Sequence, residues 1–168
     1  DAAGDRTSGA GEAAPFFGFV HLFDPHWDYA APEPYTRRFV APGYAGPMDG
    51  SYDAMAPWVL SDRRLPEPDR DALVGYYDGE IAWLDTELAR LLAALDARGV
   101  LDDTLVVLTA DHGEEFKENG RLGHVRTLFE EQLHVPLVLS HRSLAPGRVA
   151  APVSIVDVGA TVLDALVG

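Results

Sequence analysis

Apolar runs of strand type and amphipathic segments of helix type alternate along this 168-residue chain, and their order limits the folds open to it. Short runs rich in aromatic and β-branched residues predict buried strands, whereas apolar residues that recur every three or four positions predict helices. The alternation predicts an α/β domain with a mostly parallel sheet flanked by helices. The expected strands cover residues 16–22, 104–109 and 135–139, and the expected helices cover 69–95, 127–133 and 154–167.

Two stretches lack this periodicity. Residues 1–14 are rich in Gly, Ala and Asp, so we expect a flexible leader or linker there and a folded domain over 15–168. The leader has no hydrophobic region of signal-peptide type. Eight of the twelve prolines lie between Pro25 and Pro68, which predicts a long irregular segment with one short helical turn over 54–60.

Charge and composition exclude several classes of function. The net charge is −14, and nucleic-acid binding needs a basic surface, so we expect no nucleic-acid partner. An anionic substrate would have to be attracted by a metal ion or by local cations. No apolar run approaches the roughly 20 residues that span a bilayer, so we expect no membrane segment in this chain. The absence of cysteine excludes disulfides, thiolate zinc sites and thiol nucleophiles.

The tripeptide Asp111-His112-Gly113 directly follows the second expected strand. Open α/β sheets place their ligands at that edge. A carboxylate beside an imidazole can bind Zn²⁺, Mn²⁺ or a similar ion. The alternative is a turn in which Asp111 caps the following segment and His112 is a polar surface residue. The tripeptide alone leaves both interpretations open.

Three further histidines lie near the expected strand ends. His21 and His26 bracket the end of the first strand, and His124 follows His112 by twelve residues. If the strands are parallel neighbours, His26 and the 111–113 turn share one edge of the sheet. Histidines and a carboxylate could then surround an anion and a metal. Taken singly, each histidine is more often an ordinary surface residue.

Other polar and aromatic residues are expected to be structural. Glu80 belongs to the solvated face of the long helix. Glu114 and Glu115 follow the candidate metal ligands and are expected at the surface rather than behind the site. Trp27 and Tyr29 either line a pocket or attach the irregular segment to the core.

Five segments together resemble the sulfatase branch of the alkaline phosphatase superfamily, in the family's order and spacing. The resemblance extends over nearly everything from Pro15 onward and implies an alkaline phosphatase/sulfatase-like fold. It also implies a metal-dependent hydrolase that acts on anionic sulfate or phosphate esters. The segments are VHLFDPHWDY (20–29), YDGEIAWLD (77–85), TLVVLTADHGEEF (104–116), GHVRTLFEEQLHVPL (123–137) and VDVGATVL (156–163).

The resemblance implies roles for individual residues. Asp111 corresponds to a metal-binding aspartate, and His112 stands at a second ligand position. His26 and His124 correspond to catalytic residues that contact the sulfuryl or phosphoryl oxygens, and His21 is a weaker candidate. The family's sulfatases mostly hold one Ca²⁺ ion, whereas an Asp–His pair suits Mn²⁺ or Zn²⁺. A histidine where many sulfatases carry lysine implies a pH-dependent contribution.

One departure from the family concerns the nucleophile. The family uses a formylglycine made in a C/S-x-P-x-R motif, or a Ser or Thr in its phosphotransferases, and this chain has no match. The stretch 143–148 (SLAPGR) is one residue off and follows the third expected strand. The resemblance therefore implies that 15–168 is part of a catalytic domain, inactive alone, whose partner is the N-terminal half of the parent domain.

Two other functions stay open beside sulfate-ester hydrolysis. One is a phosphoryl or phosphoethanolamine transferase, or a phosphodiesterase, of the same superfamily. The other is a degenerate, non-catalytic binding domain. An upstream C-x-P-x-R motif would favour a sulfatase, and upstream membrane helices with a threonine nucleophile would favour a transferase. The intact parent could be periplasmic, secreted or membrane-associated.

Overall fold

The structure, a computed structural model, describes residues 15–124 and 126–167. The expected leader over 1–14 lies outside the described residues. No helix within the described ranges is both long and apolar enough to cross a membrane. The elements in chain order are α1 (Tyr52–Val59), α2 (Glu67–Asp96), β1 (Val106–Thr109), α3 (Glu130–Leu133), β2 (Leu137–Ser140) and α4 (Asp157–Val167).

The long helix α2 confirms the strongest periodic pattern of the sequence. Pro66 and Pro68 frame its first residue, where a missing backbone N–H costs no helical hydrogen bond. Glu67 and Asp69 place negative charge at the positive end of the helix dipole. Past the last turn, Gly99 adopts a φ of 69°, a left-handed conformation that glycine tolerates well. Local signals therefore define both ends of this helix.

The hydrophobic core lies between the N-terminal half of α2, the proline-rich segment and the loop after β1. Two glycines of α2 make the first contact close. A Cβ at Gly75 would lie 2.7 Å from the carbonyl oxygen of Phe39, and one at Gly79 would lie 2.6 Å from that of Tyr35. The segment expected to be an irregular excursion thus forms one side of the core. The buried core residues are Tyr29, Val40, Met48, Met55, Val59, Leu65, Ala72, Leu73, Tyr76, Phe116 and Leu122.

Glu80 departs from the expected solvated face of α2, because only 3% of this residue is exposed. Its carboxylate accepts a hydrogen bond from the backbone N–H of Ala30. Burial, and then the negative charge of Asp24, raise the pKa of the Glu80 carboxyl. The glutamate attaches the proline-rich segment to the helix, which is a long-range role that helical spacing does not reveal.

The strands β1 and β2 form a two-stranded antiparallel sheet, with Val106 opposite Ser140 and Thr109 opposite Leu137. The expected mostly parallel sheet is therefore not found in the part of the chain that the structure describes. A parallel crossover must return the chain to the start of the first strand. Here the backbone N–H of Gly113 donates to the carbonyl oxygen of Gln132 at 2.8 Å, which folds the connection back on itself. The chain consequently re-enters the sheet beside the end of β1.

The expected first strand over 16–22 is also wrong. Residues 15–24 form neither strand nor helix, and the side chains of Phe17 and Phe19 are 78% and 81% exposed. A strand needs a neighbour for its backbone hydrogen bonds, and no other described residue pairs with this segment. Aromatic and β-branched composition indicated a strand but could not supply its partner.

Candidate active site

Asp111 and His112 lie directly after β1, where the chain leaves the sheet. The backbone N–H of His112 donates to Oδ1 of Asp111 at 3.1 Å. The imidazole Nδ1 of His112 lies 2.9 Å from the carbonyl oxygen of Gly113. Because a carbonyl can only accept, Nδ1 carries a proton, and in the neutral ring Nε2 keeps its lone pair. Nε2 lies 3.9 Å from Oδ2 of Asp111.

His124 lies at the centre of a group of rings. Its imidazole stacks on that of His112, with centroids 4.1 Å apart and planes inclined by 27°. It also contacts the ring of His26, at a centroid distance of 5.2 Å, and the ring of Trp27, at 5.4 Å. The structure thus brings three of the expected histidines together, with Asp111 beside them. We call His26, His112 and His124 the histidine cluster.

His26 and Trp27 reach the histidine cluster from the loop before α1. Nδ1 of His26 donates to the carbonyl oxygen of Trp27 at 2.9 Å, which again leaves Nε2 free. The Trp27 indole lies against Gly123, where an added Cβ would come within 2.2 Å of the ring. On its other side Trp27 contacts Tyr52, at 5.5 Å between centroids. His21, the weaker candidate, lies in the exposed segment 15–24 against its own aromatic neighbours.

A buried carboxylate holds the central histidine. Oε1 of Glu114 lies 3.0 Å from Nδ1 of His124, and the Glu114 side chain is only 4% exposed. The hydroxyl of Tyr29 donates to the other carboxylate oxygen at 2.9 Å. Burial, and then the charge of Glu114, raise the pKa of Tyr29 well above its ordinary range, so its hydroxyl stays a donor. Both oxygens of Glu114 are therefore occupied.

The neighbouring carboxylate holds the loop that carries His124. Glu115 is fully buried and accepts hydrogen bonds from the hydroxyl of Thr127 at 2.7 Å and from the amide of Gln132 at 3.3 Å. Its backbone carbonyl accepts the N–H of Gly123 at 2.8 Å. These bonds connect Glu115 with Gly123, Thr127 and Gln132, and they fix the backbone next to His124.

Asp111 and His112 offer two donor atoms of the kind that divalent metals bind. A metal-ligating histidine normally donates its other N–H to a carbonyl or carboxylate, as His112 does. The Asp111 side chain is 84% exposed and accessible to a ligand. The pair fits a divalent ion, although no group of three or more His, Cys, Asp or Glu side chains in the described ranges forms a complete ligand set.

The residues behind the histidine cluster were not identified from the sequence, although Glu114 and Glu115 were expected at the surface. That expectation is wrong, because both are buried. A usable signal was their place between the candidate ligands and Phe116, a core residue, where the chain has to turn inward. Of the two roles expected for Trp27, lining a pocket or attaching the irregular segment to the core, its ring contact with His124 corresponds to the first. Tyr29 joins the core to Glu114.

Comparison with known proteins places the chain in one family. The family model for sulfatases matches residues 8–168. The chain is 39% identical to steryl-sulfatase from Mus musculus over 164 residues, which cover 89% of this chain and 21% of the relative. It is 35% identical to choline-sulfatase from Rhizobium meliloti over 88 residues, which cover 52% of this chain and 17% of the relative.

A solved structure extends the likeness to the fold. The chain superposes on the phosphonate monoester hydrolase SpPMH from Silicibacter pomeroyi with a TM-score of 0.66 and 27% identity, over 83% of this chain and 31% of that one. This likeness confirms the expected alkaline phosphatase/sulfatase-like fold family. The chain spans less than a third of the length of each of these three relatives. Because the family model matches nearly all of its residues, the chain belongs to the sulfatase family.

Proposed function

We propose that this chain supplies the anion-binding histidines and two metal ligands of a hydrolase that cleaves sulfate esters. The observation that carries the proposal is the histidine cluster. In each of its three rings Nδ1 faces a fixed acceptor, which leaves Nε2 for a ligand. The three imidazole rings are therefore preorganised for ligand binding.

Asp111 and His112 are the residues proposed to hold the divalent ion that enzymes of this family generally use. Such an ion, when bound, polarises an ester oxygen as a Lewis acid. The Asp–His pair suits Ca²⁺ less well than Mn²⁺ or Zn²⁺, because imidazole is a softer ligand than oxygen. Calorimetric titrations of the chain with Ca²⁺, Mn²⁺ and Zn²⁺ identify which ion binds.

His26 and His124 are proposed to contact the oxygens of the sulfuryl group. In its protonated form an imidazole with Nδ1 already bound donates from Nε2 to an anionic oxygen. Donors aimed at developing negative charge are a large source of transition-state stabilisation. A local set of donors matters more here than in most proteins, because the net charge of −14 repels an anionic substrate.

We also propose that the chain acts as part of a larger catalytic domain and is inactive alone. It contains no cysteine and no C/S-x-P-x-R motif from which the family's nucleophile is made. Large apolar side chains are exposed over 15–24 and on β2, where Val138 is 51% exposed. Exposed large apolar side chains in this number are typical of a face that another part of a protein covers.

The experiment is a titration of the chain with sulfate in the presence of Zn²⁺, a d¹⁰ ion that does not broaden NMR lines, followed through the histidine ring signals. We expect sulfate to shift the signals of His26 and His124 and to leave the exposed His134 unchanged. His124→Gln should weaken the response, whereas the matched variant His134→Gln should not. No shift of either cluster histidine would contradict the proposed anion site.

Turnover and metal binding test the remaining parts. The chain alone should not hydrolyse 4-nitrophenyl sulfate. Metal-dependent hydrolysis that is lost in Asp111→Asn but kept in the exposed control Asp102→Asn would overturn the proposed inactivity. Mn²⁺ binding measured by calorimetry should likewise be lost in Asp111→Asn and kept in Asp102→Asn.

A second candidate is hydrolysis of phosphonate or phosphate esters. The likeness to a phosphonate monoester hydrolase structure favours it. The same titration distinguishes the two, since phenylphosphonate that displaces sulfate from the cluster at lower concentration would favour the phosphorus substrate.

A further inference from the structure

We propose that Glu114 is a positioning residue for His124: its buried carboxylate accepts the Nδ1 proton in a hydrogen bond, so that Nε2 faces the substrate anion and donates to it when the ring is protonated. The inference rests on the proposed function in one respect, since it takes His124 to be an anion contact. The orientation of the ring is a separate question from what the ring binds. The two can therefore be tested independently.

The geometry leaves little freedom in this contact. The Oε1–Nδ1 distance is 3.0 Å, and a carboxylate oxygen can only accept, so the proton lies on Nδ1. The second oxygen accepts the hydroxyl of Tyr29, which prevents the carboxylate from rotating away. Tyr29 is itself anchored, because its ring is 1% exposed and packs edge-on against Tyr77 at 5.5 Å. A chain of contacts thus runs from the core to the ring of His124.

A purely structural role for Glu114 would be to join the two halves of the loop after β1. Other groups already do this: Glu115 binds Thr127 and Gln132, and the N–H of Gly123 donates to the carbonyl of Glu115. The side-chain hydrogen bonds of Glu114 go to Tyr29 and to the imidazole of His124. Its carboxylate therefore acts on the ring rather than on the loop backbone.

The other two rings show why this residue matters. His26 and His112 donate Nδ1–H to the carbonyl of the next residue, so their orientation follows from the local backbone. The ring of His124 is oriented by a side chain ten residues earlier in the sequence. Removal of that side chain should free His124 alone and leave the other two rings in place.

The test uses the ¹⁵N-labelled chain at low salt and measures which ring nitrogen of neutral His124 carries the proton. His124→Gln identifies its signals. We expect Nδ1–H in the wild type, a change to Nε2–H in Glu114→Ala, and retention of Nδ1–H in Glu114→Gln, whose amide oxygen can still accept. Tyr29→Phe should have a partial effect, and the exposed control Glu33→Gln should have none. Sulfate binding should weaken about tenfold in Glu114→Ala because the ring loses its fixed orientation, a loss at the low end of that seen when a metal-ligating histidine loses its partner.

Several outcomes would overturn the inference. Nε2–H on His124 of the wild type refutes it without any variant, even if Glu114→Ala fails to fold. A Glu114→Ala protein that is less stable but keeps Nδ1–H shows a structural role only. If the proton moves as expected while sulfate leaves His124 unaffected, the positioning role stands and the proposed anion site fails.

Discussion

Replacement of Gly123 by alanine should displace Trp27 from the histidine cluster. Gly123 has a φ of 87°, and a Cβ there would lie 2.2 Å from Cζ2 and 2.6 Å from Cη2 of the indole. The substitution therefore carries a backbone cost and a steric cost together. Gly120 separates them, because it has a φ of 89° but no atom within 4 Å of an added Cβ.

The two costs can be estimated separately. Gly120→Ala should lower the free energy of unfolding by about 1–2 kcal/mol, the cost of a left-handed conformation for an L-residue. Gly123→Ala should lower it by about 1–3 kcal/mol more, which is the usual cost of overpacking in a close contact. Against a typical domain stability of about 5–15 kcal/mol, this difference is readily measured.

Urea unfolding followed by circular dichroism measures both variants, and tryptophan fluorescence reports on the displaced indole. Gly123→Ala should also change the ring signals of His124, which Trp27 contacts, whereas Gly120→Ala should not. Equal unfolding midpoints for the two variants, with unchanged fluorescence, would refute the close contact between Trp27 and Gly123.

Further predictions concern the pH dependence of stability, the loop held by Glu115 and self-association of the chain. Burial, and then the charge of Asp24, raise the pKa of the Glu80 carboxyl above its ordinary value of 4.5. The contribution of this group to the free energy of unfolding is therefore present at low pH and is lost as the pH rises through the pKa of the folded state. Glu80→Gln should flatten the pH dependence of urea unfolding there, and an unchanged slope would contradict this. Glu115→Ala should lower the free energy of unfolding by about 1–3 kcal/mol, because buried donors lose their acceptor; an unchanged unfolding midpoint would show that the loop does not depend on it. The chain should self-associate as salt screens its charge of −14 and the exposed side chains of 15–24 meet, and sedimentation that shows a monomer at both low and physiological salt would exclude this.

Local signals in the sequence were sufficient for the long helix α2, whereas α3 and α4 each begin three residues later than expected. The period of α2, the proline at its start and Gly99 beyond its end all act within a few residues of one another. The direction of β2 could not be predicted in this way. It depends on the hydrogen bond between Gly113 and Gln132, which lie nineteen positions apart along the chain. Strand-forming composition likewise could not show that 16–22 has no partner among the described residues.

In the candidate site, too, the sequence indicated the residues that local motifs mark and did not indicate those positioned by distant contacts. Asp111, His112, His26 and His124 were proposed from residue type and resemblance, and the structure brings them together. Glu114 was not proposed, because its burial depends on Tyr29, which lies 85 residues earlier in the chain. Its place before the core residue Phe116 indicates only that the chain turns inward there, and nothing local shows that the carboxylate reaches Tyr29.

The three rings of the histidine cluster should respond differently to partial unfolding of the core. His26 and His112 are oriented by carbonyls of adjacent residues and should keep their orientation wherever the local backbone forms. His124 is oriented only when the core brings Tyr29 to Glu114. Partial unfolding of the core should therefore release His124 first, and weaken the proposed anion site before it separates Asp111 from His112. The proposed anion site is thus coupled to the packing of the core, whereas the proposed metal ligands depend mainly on the end of β1.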